Sequence, residues 1–302
     1  MKYDSIAELV REAERAKTSI GELVIKDQAL LEETSEKVLI QKMKKTLQVM
    51  KESNEAGLKK DISSVSGLTG GDAYKMKNRV DEGKTICGKV FGDALARALA
   101  ISETNACMGK IVAAPTAGSC GILPAALITV AEDRGICEEK VIEALFTASA
   151  VGMVIAARAS IAGAEGGCQA EVGAAGAMAA AAITELCGGS PKKVSQACAI
   201  GLKNILGLVC DPVAGLVEIP CIKRNAMGVA NALTAAELAL AGIKSAIPAD
   251  EVIDAMKRIG DIMSPALKET AEGGLAATPT AKKLYNKVFG EKKAGDKKHD
   301  DK

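Results

Sequence analysis

The sequence predicts an all-α fold, a single large helical domain whose helices are joined by glycine-rich loops. Hydrophobic residues make up 48% of its 302 residues, but aromatic residues make up only 2%. The core must therefore be built from small aliphatic side chains. Alanine-rich, aromatic-poor segments of helical length favour packed helices over a sheet sandwich. No run of alternating apolar and polar residues is long enough to build a sheet.

Residues 1–60 are predicted to form amphipathic helices that pack on the main domain. Apolar residues recur at helical spacing over residues 5–19, where Ser5 and Glu8 form a capping-box pattern. Residues 27–56 are predicted to form one longer, heavily charged helix. The sparse apolar stripe of this helix indicates a peripheral position or a partner-facing surface.

Residues 61–290 are predicted to form one larger unit in which glycine-rich loops alternate with apolar helices. Ser190 followed by Pro191 predicts a helix start, and Asp250 is predicted to cap another helix in the same way. The charged tail at residues 291–302 is predicted to be disordered. The helices of the larger unit are predicted at residues 88–109, 121–134, 138–162, 170–187, 190–203, 225–242 and 250–259.

Charge and cysteine content narrow the class of protein. A net charge of +1 gives no general attraction to nucleic acid or anionic membranes, and the few aromatic side chains offer bases no stacking platform. Nine cysteines behind a charged, amphipathic N-terminus indicate free or metal-bound thiols in a reducing, cytoplasmic location. Residues 144–163 and 172–186 are apolar, but the first contains Arg158 and the second is short and alanine-rich. Both segments are therefore predicted to be buried helices rather than membrane spans.

Two glycine-rich loops precede predicted helices and offer backbone N–H groups to a carboxylate or phosphate. Loop 1, residues 63–72, contains three glycines and several hydroxyl side chains. Loop 2, residues 113–121, again places small side chains and hydroxyl groups before an apolar helix. A flexible turn or a capping loop explains either one alone, and neither is a Walker loop, since no Gly-Lys-Ser/Thr follows. Two such loops in one chain favour an anion site.

Three cysteines, Cys168, Cys210 and Cys221, lie where glycine or proline interrupts helix propensity. Their thiolates could ligate a metal, or each could be a small buried hydrophobic residue. The second explanation suits the cysteines in or beside predicted helices, while Cys120 in loop 2 is intermediate. Zinc is the competing metal, but no C-x2-C pair and no usable histidine supports it. Three cysteine ligands would leave one iron of an iron–sulfur cluster open to act as a Lewis acid.

Together these segments resemble the α chain of the iron–sulfur-dependent L-serine dehydratases, also called L-serine ammonia-lyases. The resemblance covers most of the chain, from about Ser5 to Gly274. Its motifs are Ser66-Gly67-Leu68-Thr69-Gly70-Gly71, Pro115-Thr116-Ala117-Gly118-Ser119-Cys120-Gly121, Glu165-Gly166-Gly167-Cys168-Gln169-Ala170-Glu171-Val172-Gly173, and Cys210-Asp211-Pro212 through Pro220-Cys221.

The resemblance implies a serine dehydratase α-chain-like catalytic domain at residues 61–290, with a [4Fe–4S] cluster on Cys168, Cys210 and Cys221. It implies an oxygen-sensitive conversion of L-serine to pyruvate and ammonia without pyridoxal phosphate, in which the open iron binds the substrate hydroxyl. The residues implied in substrate binding are Ser66, Thr69, Gly70, Thr116, Ala117, Gly118 and Ser119. Three further residues could support this site or form a solvated helix start: Lys223, Arg224 and Asn225.

The general base stays open, because the one histidine, His299, lies in the predicted disordered tail. A cysteine or lysine of this chain, a hydroxide on the iron or a group from another subunit could supply it. Nothing in the sequence resembles the regulatory domain of single-chain members of the family, which implies a separate β subunit as partner. The alternatives are a related iron–sulfur lyase acting on L-cysteine and a non-catalytic, anion-binding partner subunit.

Overall fold

A computed structural model of the protein describes residues 3–290. The predicted disordered tail, with His299, lies outside the described residues. Within them the fold is all-α, as predicted, and the strand-like contacts reduce to one isolated bridge between Cys210 and Lys268. The helices are Ile6–Ala16 (α1), Ile20–Leu31 (α2), Glu36–Gly57 (α3), Asp72–Asp81 (α4), Gly88–Ala106 (α5), Ile122–Arg134 (α6), Glu138–Arg158 (α7), Gly163–Gly166 (α8), Ala174–Leu186 (α9), Pro191–Lys203 (α10), Cys221–Leu240 (α11), Ala249–Ile262 (α12) and Pro279–Phe289 (α13).

Helix α9 lies at the centre of the core. It packs against α6, α7, α10 and α11, and every residue from Ala174 to Thr184 is buried. Alanine fills most of these positions, so neighbouring helices approach closely while each position still removes apolar surface from water. The small side chains that the composition predicts therefore build this core.

The first three helices pack on the outside of the larger unit, with α1 against α10, α2 against α7 and α3 against α5. One half of the predicted capping box of α1 is present: the N-cap Ser5 hydroxyl accepts the N–H of Glu8 at 3.0 Å. The Glu8 carboxylate in turn accepts the N–H of Asp4 at 2.9 Å. The division of the chain into domains at residue 60 stays a prediction.

The prediction of one helix over residues 27–56 is wrong. The chain forms two helices there, α2 at Ile20–Leu31 and α3 at Glu36–Gly57. Between them Glu33 adopts a left-handed conformation with φ 50°, and the Ser35 hydroxyl caps α3. No glycine or proline marks this turn, so the charged sequence continues the helical pattern across it.

Carboxylates from distant helices cap three of the helix starts. This arrangement satisfies backbone N–H groups that a helix leaves unpaired at its first turn, and it places negative charge at the positive end of the helix dipole. The pairs are Asp250 with the N–H groups of Ile6 and Ala7 (2.8 and 3.0 Å), Glu185 with Ile20 and Gly21 (2.8 and 3.1 Å), and Glu103 with Asp72 and Ala73 (2.8 and 3.2 Å).

The prediction that Asp250 caps its own helix is therefore wrong, since Pro248 occupies the N-cap of α12 and Asp250 serves α1 instead. The other predicted start is confirmed. Ser190 is the N-cap of α10, where its hydroxyl accepts the N–H of Lys193, and Pro191 is the first helical residue. A carboxylate at a helix start can thus serve a neighbouring helix, which a sequence pattern does not distinguish.

By length and composition, one helix of the described chain, α7, could cross a membrane. Within its most apolar window, however, 67% of the residues are buried inside the protein. That burial is the pattern of a core helix, in agreement with its packing against α2 and α9.

Candidate active site

The three cysteines singled out in the sequence come from three separate segments. Cys168 directly precedes a π-helical turn, Gln169–Gly173, that leads into α9. Cys210 lies in a loop at the isolated bridge, whereas Cys221 is already the first residue of α11. Cys168 and Cys210 are buried and Cys221 is half-buried, and all nine cysteines are free thiols. A π turn is an uncommon element that occurs mostly at functional sites.

The three thiols share one electrostatic environment. Burial raises the pKa of Cys168 to about 11 and that of Cys221 to about 12. Burial also raises the pKa of Cys210, and negative charge at Cys168, Glu171 and Cys221 adds to that effect. The Arg224 guanidinium lowers the pKa of Cys168 and of Cys221. Since charge on one thiol alters the pKa of the others, the three groups lie in one region of the fold.

A buried ion pair between Arg224 and Asp211 lies beside the thiols. Arg224 Nη1 is 2.9 Å from Asp211 Oδ1, and it also donates to the carbonyl oxygen of Val209 at 2.9 Å. The side chains of the pair are only 14% and 4% exposed. The Arg224 guanidinium is also close enough to the Cys168 thiol to lower its pKa. The pair joins the start of α11 to the Cys210 loop and keeps a cation next to the thiols.

The segment that follows α12 holds the Cys210 loop from the other side. The N–H of Cys210 donates to the carbonyl oxygen of Leu267 at 2.9 Å. The carbonyl oxygen of Cys210 accepts the N–H of Glu269 at 3.0 Å. Further along, the N–H of Leu275 donates to the Asp211 carboxylate at 2.8 Å. Three hydrogen bonds thus fix two successive residues of the loop.

Loop 1 carries an anion of the protein itself. The Glu103 carboxylate accepts the N–H groups of Asp72 and Ala73, where α4 begins. Glu103 is only 1% exposed. Burial raises the pKa of its carboxyl, while the hydrogen bonds from these N–H groups and that of Gly71 oppose the rise. The helix start that the sequence marks as an anion site is therefore already filled.

The hydroxyl groups of loop 1 are also engaged. Ser66 donates to Glu218 at 2.9 Å, and Thr69 donates to the same carboxylate oxygen at 2.7 Å. Glu218 is buried and lies between Cys210 and Cys221 in the chain. These two predicted substrate-binding hydroxyls thus tie loop 1 to the cysteine-bearing segment. Gly70, the third predicted residue of this loop, has a φ of 139°.

Loop 2 is held through its carbonyl oxygens. Asn225, which is 1% exposed, accepts the N–H of Gly121 at 2.9 Å and donates to the carbonyl oxygens of Gly118 at 2.7 Å and Cys221 at 2.9 Å. Within the described chain, the N–H groups of Ala117 and Gly118 have no hydrogen-bond acceptor. Two N–H groups next to each other are thus available for an external anion.

Two hydroxyl side chains complete loop 2. The Thr116 and Ser119 hydroxyl oxygens are 3.1 Å apart, and Ser119 is fully buried. The Thr116 hydroxyl is also close enough to Glu171 to lower the pKa of its carboxyl. All four residues predicted to bind substrate in loop 2 therefore lie together, beside an acidic side chain.

Glu171 is the site residue that sequence reasoning missed. It lies within the π turn, three residues after Cys168. Burial raises the pKa of its carboxyl, the hydrogen bond from Thr116 opposes the rise, and the negative charge of Glu269 adds to it. A carboxylate between alanine, valine and glycine in an otherwise apolar run was the available signal.

Of the three predicted supporting residues Lys223, Arg224 and Asn225, the structure brings two to the site. Arg224 lies beside the thiols, and Asn225 joins Cys221 to loop 2. Lys223 is instead on the surface, with its side chain 73% exposed and paired with Asp72 at 3.0 Å. The described residues contain no histidine, so no imidazole of residues 3–290 can act as a base.

Among the described residues, no three histidine, cysteine or acidic side chains are placed to hold a single metal ion. A four-iron cluster is larger than one ion, so its ligands stand further apart. Three thiols from separate segments, close enough to influence one another and with a guanidinium nearby, fit the soft-donor chemistry of such a cluster.

Comparison with known proteins gives a consistent result. The model of the family described as serine dehydratase alpha chain matches residues 5–276. A probable L-serine dehydratase, alpha chain, from Bacillus subtilis (strain 168) is 50% identical over 288 residues, which are 95% of this chain and 96% of that protein. An L-serine dehydratase, alpha chain, from Peptoniphilus asaccharolyticus is 43% identical over 265 residues, 88% of this chain and 91% of that protein. L-serine dehydratase 2 of Escherichia coli (strain K12) is 37% identical over 284 residues, 91% of this chain but 61% of that protein.

Proposed function

This chain belongs to the serine dehydratase alpha chain family, whose members are lyases, and from that membership we propose that it converts L-serine to pyruvate and ammonia. The reaction removes the α-proton and the β-hydroxyl of serine as water, which leaves aminoacrylate. The imine tautomer of aminoacrylate then takes up water and releases ammonia, which gives pyruvate. The water lost in the first step is thus regained in the second. The observation that carries the proposal is that three thiols whose charges affect one another lie beside a loop with two N–H groups available to an anion.

Cys168, Cys210 and Cys221 would hold the [4Fe–4S] cluster. When bound through three cysteines, such a cluster supplies a Lewis acid that makes hydroxide a better leaving group. Because burial raises the pKa of all three thiols, they are protonated at neutral pH, and metal binding would release their protons. Arg224 supports this role, since its charge compensates the negative charge that the thiolates would bring.

Loop 2 would bind the carboxylate of serine. The N–H groups of Ala117 and Gly118 are available, and the hydroxyls of Thr116 and Ser119 lie beside them. Loop 1 would act indirectly, because Glu103 and Glu218 already take up its N–H and hydroxyl donors. This modifies the expectation that Ser66, Thr69 and Gly70 bind the substrate: in the proposed site Ser66 and Thr69 position the segment between Cys210 and Cys221.

A second chain would complete the enzyme. The described residues offer no histidine to remove the α-proton, and relatives that match along most of their length are named as alpha chains. We therefore include a β subunit in the proposal and assign the base to it. Nine free thiols also support a reducing compartment such as the cytoplasm, since an oxidising one favours disulfides.

The test is anaerobic assay of the chain with its β partner, together with iron and sulfide analysis. We expect a brown protein that turns over L-serine, and Cys210→Ser should lose colour, iron and activity together. Cys87→Ser is the matched control, because Cys87 is exposed and far along the chain from the site; it should keep all three. A colourless wild type, or an active Cys210→Ser variant, would refute the cluster. Faster turnover of L-cysteine than of L-serine would change the assigned substrate.

A further inference from the structure

Glu171 stands between loop 2 and the Cys210 thiol. A Cβ atom added to Gly118 would lie 3.3 and 3.4 Å from the two carboxylate oxygens of Glu171. A Cβ atom added to Gly163 would lie 2.9 Å from one of those oxygens and 3.1 Å from Cys210 Sγ. Glycine at both positions therefore lets the backbone approach this carboxylate closely, at the two points where it faces the anion-binding loop and the thiol.

The carboxylate has no cationic partner among the described residues. No lysine or arginine forms an ion pair with Glu171, and the Arg224 guanidinium is paired with Asp211. The one charge that shifts the pKa of Glu171 is negative: Glu269 raises it, and Glu269 Oε2 lies 3.1 Å from the same added Cβ of Gly163. A half-buried carboxylate beside another carboxylate is costly unless a cation binds there.

We infer that Glu171 binds the α-ammonium group of the substrate amino acid. The inference rests on the proposed function and adds to it a residue that distinguishes amino acids from other hydroxy acids. The order of groups along serine matches the order of groups in the site. Serine carries its carboxylate at one end, its ammonium on the central carbon and its hydroxyl at the other end. The site presents loop 2 at one end, Glu171 in the middle and the thiols at the other.

The π turn explains how Glu171 reaches this position. In a regular α-helix, a residue three positions after Cys168 would share the face of the thiol. The wider turn over Gln169–Gly173 shifts Glu171 relative to that face before α9 begins. The Thr116 hydroxyl is close enough to lower the pKa of this carboxyl. A carboxylate has about four acceptor sites, which leaves room for an ammonium group.

The inference is tested with two ligands that differ only in the ammonium group, L-alanine and propionate. Neither carries a β-hydroxyl, so neither is turned over. Their dissociation constants are measured by anaerobic calorimetry on the iron-loaded enzyme with its β partner. The wild type should bind L-alanine about 10- to 100-fold more tightly than propionate, the range of a charge-assisted hydrogen bond. In Glu171→Gln this ratio should fall to about one, while the dissociation constant of propionate stays unchanged.

Glu165→Gln is the matched control, because Glu165 is an exposed acid of the same motif and is bound to the Ser160 hydroxyl; it should keep the wild-type ratio. Glu171→Asp keeps the charge at a shorter reach and should retain part of the preference. Iron content and the visible spectrum show that each variant is loaded. A Glu171→Gln variant that keeps the preference, or weakens both ligands equally, overturns the inference, as does a wild-type ratio of one. L-serine turnover is measured separately, so a failed preference in an active enzyme refutes this role of Glu171 alone.

Discussion

The two glycine-rich loops have similar compositions but differ in the folded protein, because a carboxylate of the protein occupies the helix start of loop 1 and an amide that of loop 2. Loop 1 is filled from inside: Glu103 occupies the helix start, and Glu218 takes the hydroxyls of Ser66 and Thr69. Loop 2 is held by the neutral side chain of Asn225 at the carbonyl oxygen of Gly118 and the N–H of Gly121, and the N–H groups of Ala117 and Gly118 remain available. Glycine and hydroxyl content therefore shows that a loop can bind an anion, but not whether the protein supplies that anion itself.

The difference follows from the residue that reaches each helix start. The starts of α1, α2 and α4 each receive a carboxylate, which satisfies their N–H groups and adds a negative charge. The start of α6 receives the amide oxygen of Asn225, which satisfies one N–H without bringing charge. The start of α6 therefore holds no carboxylate on its N–H groups, which leaves the end of loop 2 open to an external anion.

Removing the internal anion of loop 1 should give the largest effect on stability. Glu103→Ala leaves buried N–H groups of Asp72 and Ala73 without an acceptor and leaves a cavity, so we expect the free energy of unfolding to fall by about 2–4 kcal/mol. Urea denaturation measures the change. Glu82→Ala, an exposed acid just after the other end of α4, should change it by less than about 0.5 kcal/mol. Equal stability of both variants would mean that loop 1 does not depend on its internal carboxylate.

A methyl group added to each loop should separate their roles. In Gly118→Ala the methyl group lies against the Glu171 carboxylate, and we expect the KM for L-serine to rise about 10- to 100-fold with little loss of stability. Gly67 has a φ of 70° and open space around it, so Gly67→Ala should cost about 1–2 kcal/mol of stability and leave KM within about twofold. Steady-state kinetics and thermal unfolding give both values. The reverse pattern would exchange the roles of the two loops.

The smallest expected effect is a pH dependence confined to loop 1. Because the pKa of Glu103 in the folded state is raised above its ordinary 4.5, the folded protein binds this proton more tightly than the unfolded chain. Its contribution to stability is complete below pH 4.5 and is lost as pH rises through the raised pKa. Glu103→Gln should flatten the stability profile over that window, whereas Ser119→Ala in loop 2 should leave it unchanged. Denaturation curves across the window measure both slopes, and parallel profiles for Glu103→Gln and the wild type would contradict the assignment.

Composition and periodicity predict the helices of the core well, because a buried alanine-rich helix leaves a long apolar run. They fail where a contact from elsewhere in the chain decides the outcome. The break between α2 and α3 carries no glycine or proline, and Asp250 caps a helix more than 240 residues away. The only local signal of the break is Ser35 as the N-cap of α3, and the capping by Asp250 has none.

In the candidate site, too, some residues can be predicted from the sequence and others cannot. The cysteines and loop 2 stand out in the sequence because glycine and proline surround them. Glu103, Glu171 and Glu218 do not, since charged residues are usually assumed to face solvent. Glu171 and Glu218 lie in largely apolar stretches, and that context is the signal that would have identified them, whereas Glu103 stands among Ser102, Thr104 and Asn105 and has no such signal.

The Cys210 loop forms hydrogen bonds with the carbonyl oxygen of Leu267 and the N–H of Leu275. These bonds also set an order of events during synthesis. A ribosome has made all three cysteines once it passes residue 221, yet Asp211 gains its last partner only after residue 275 has been added and released from the exit tunnel. The nascent chain therefore exposes its thiols for a period before their loop is fixed. Any insertion of iron into the finished pocket would therefore follow the synthesis of residue 275, which determines when that pocket first exists.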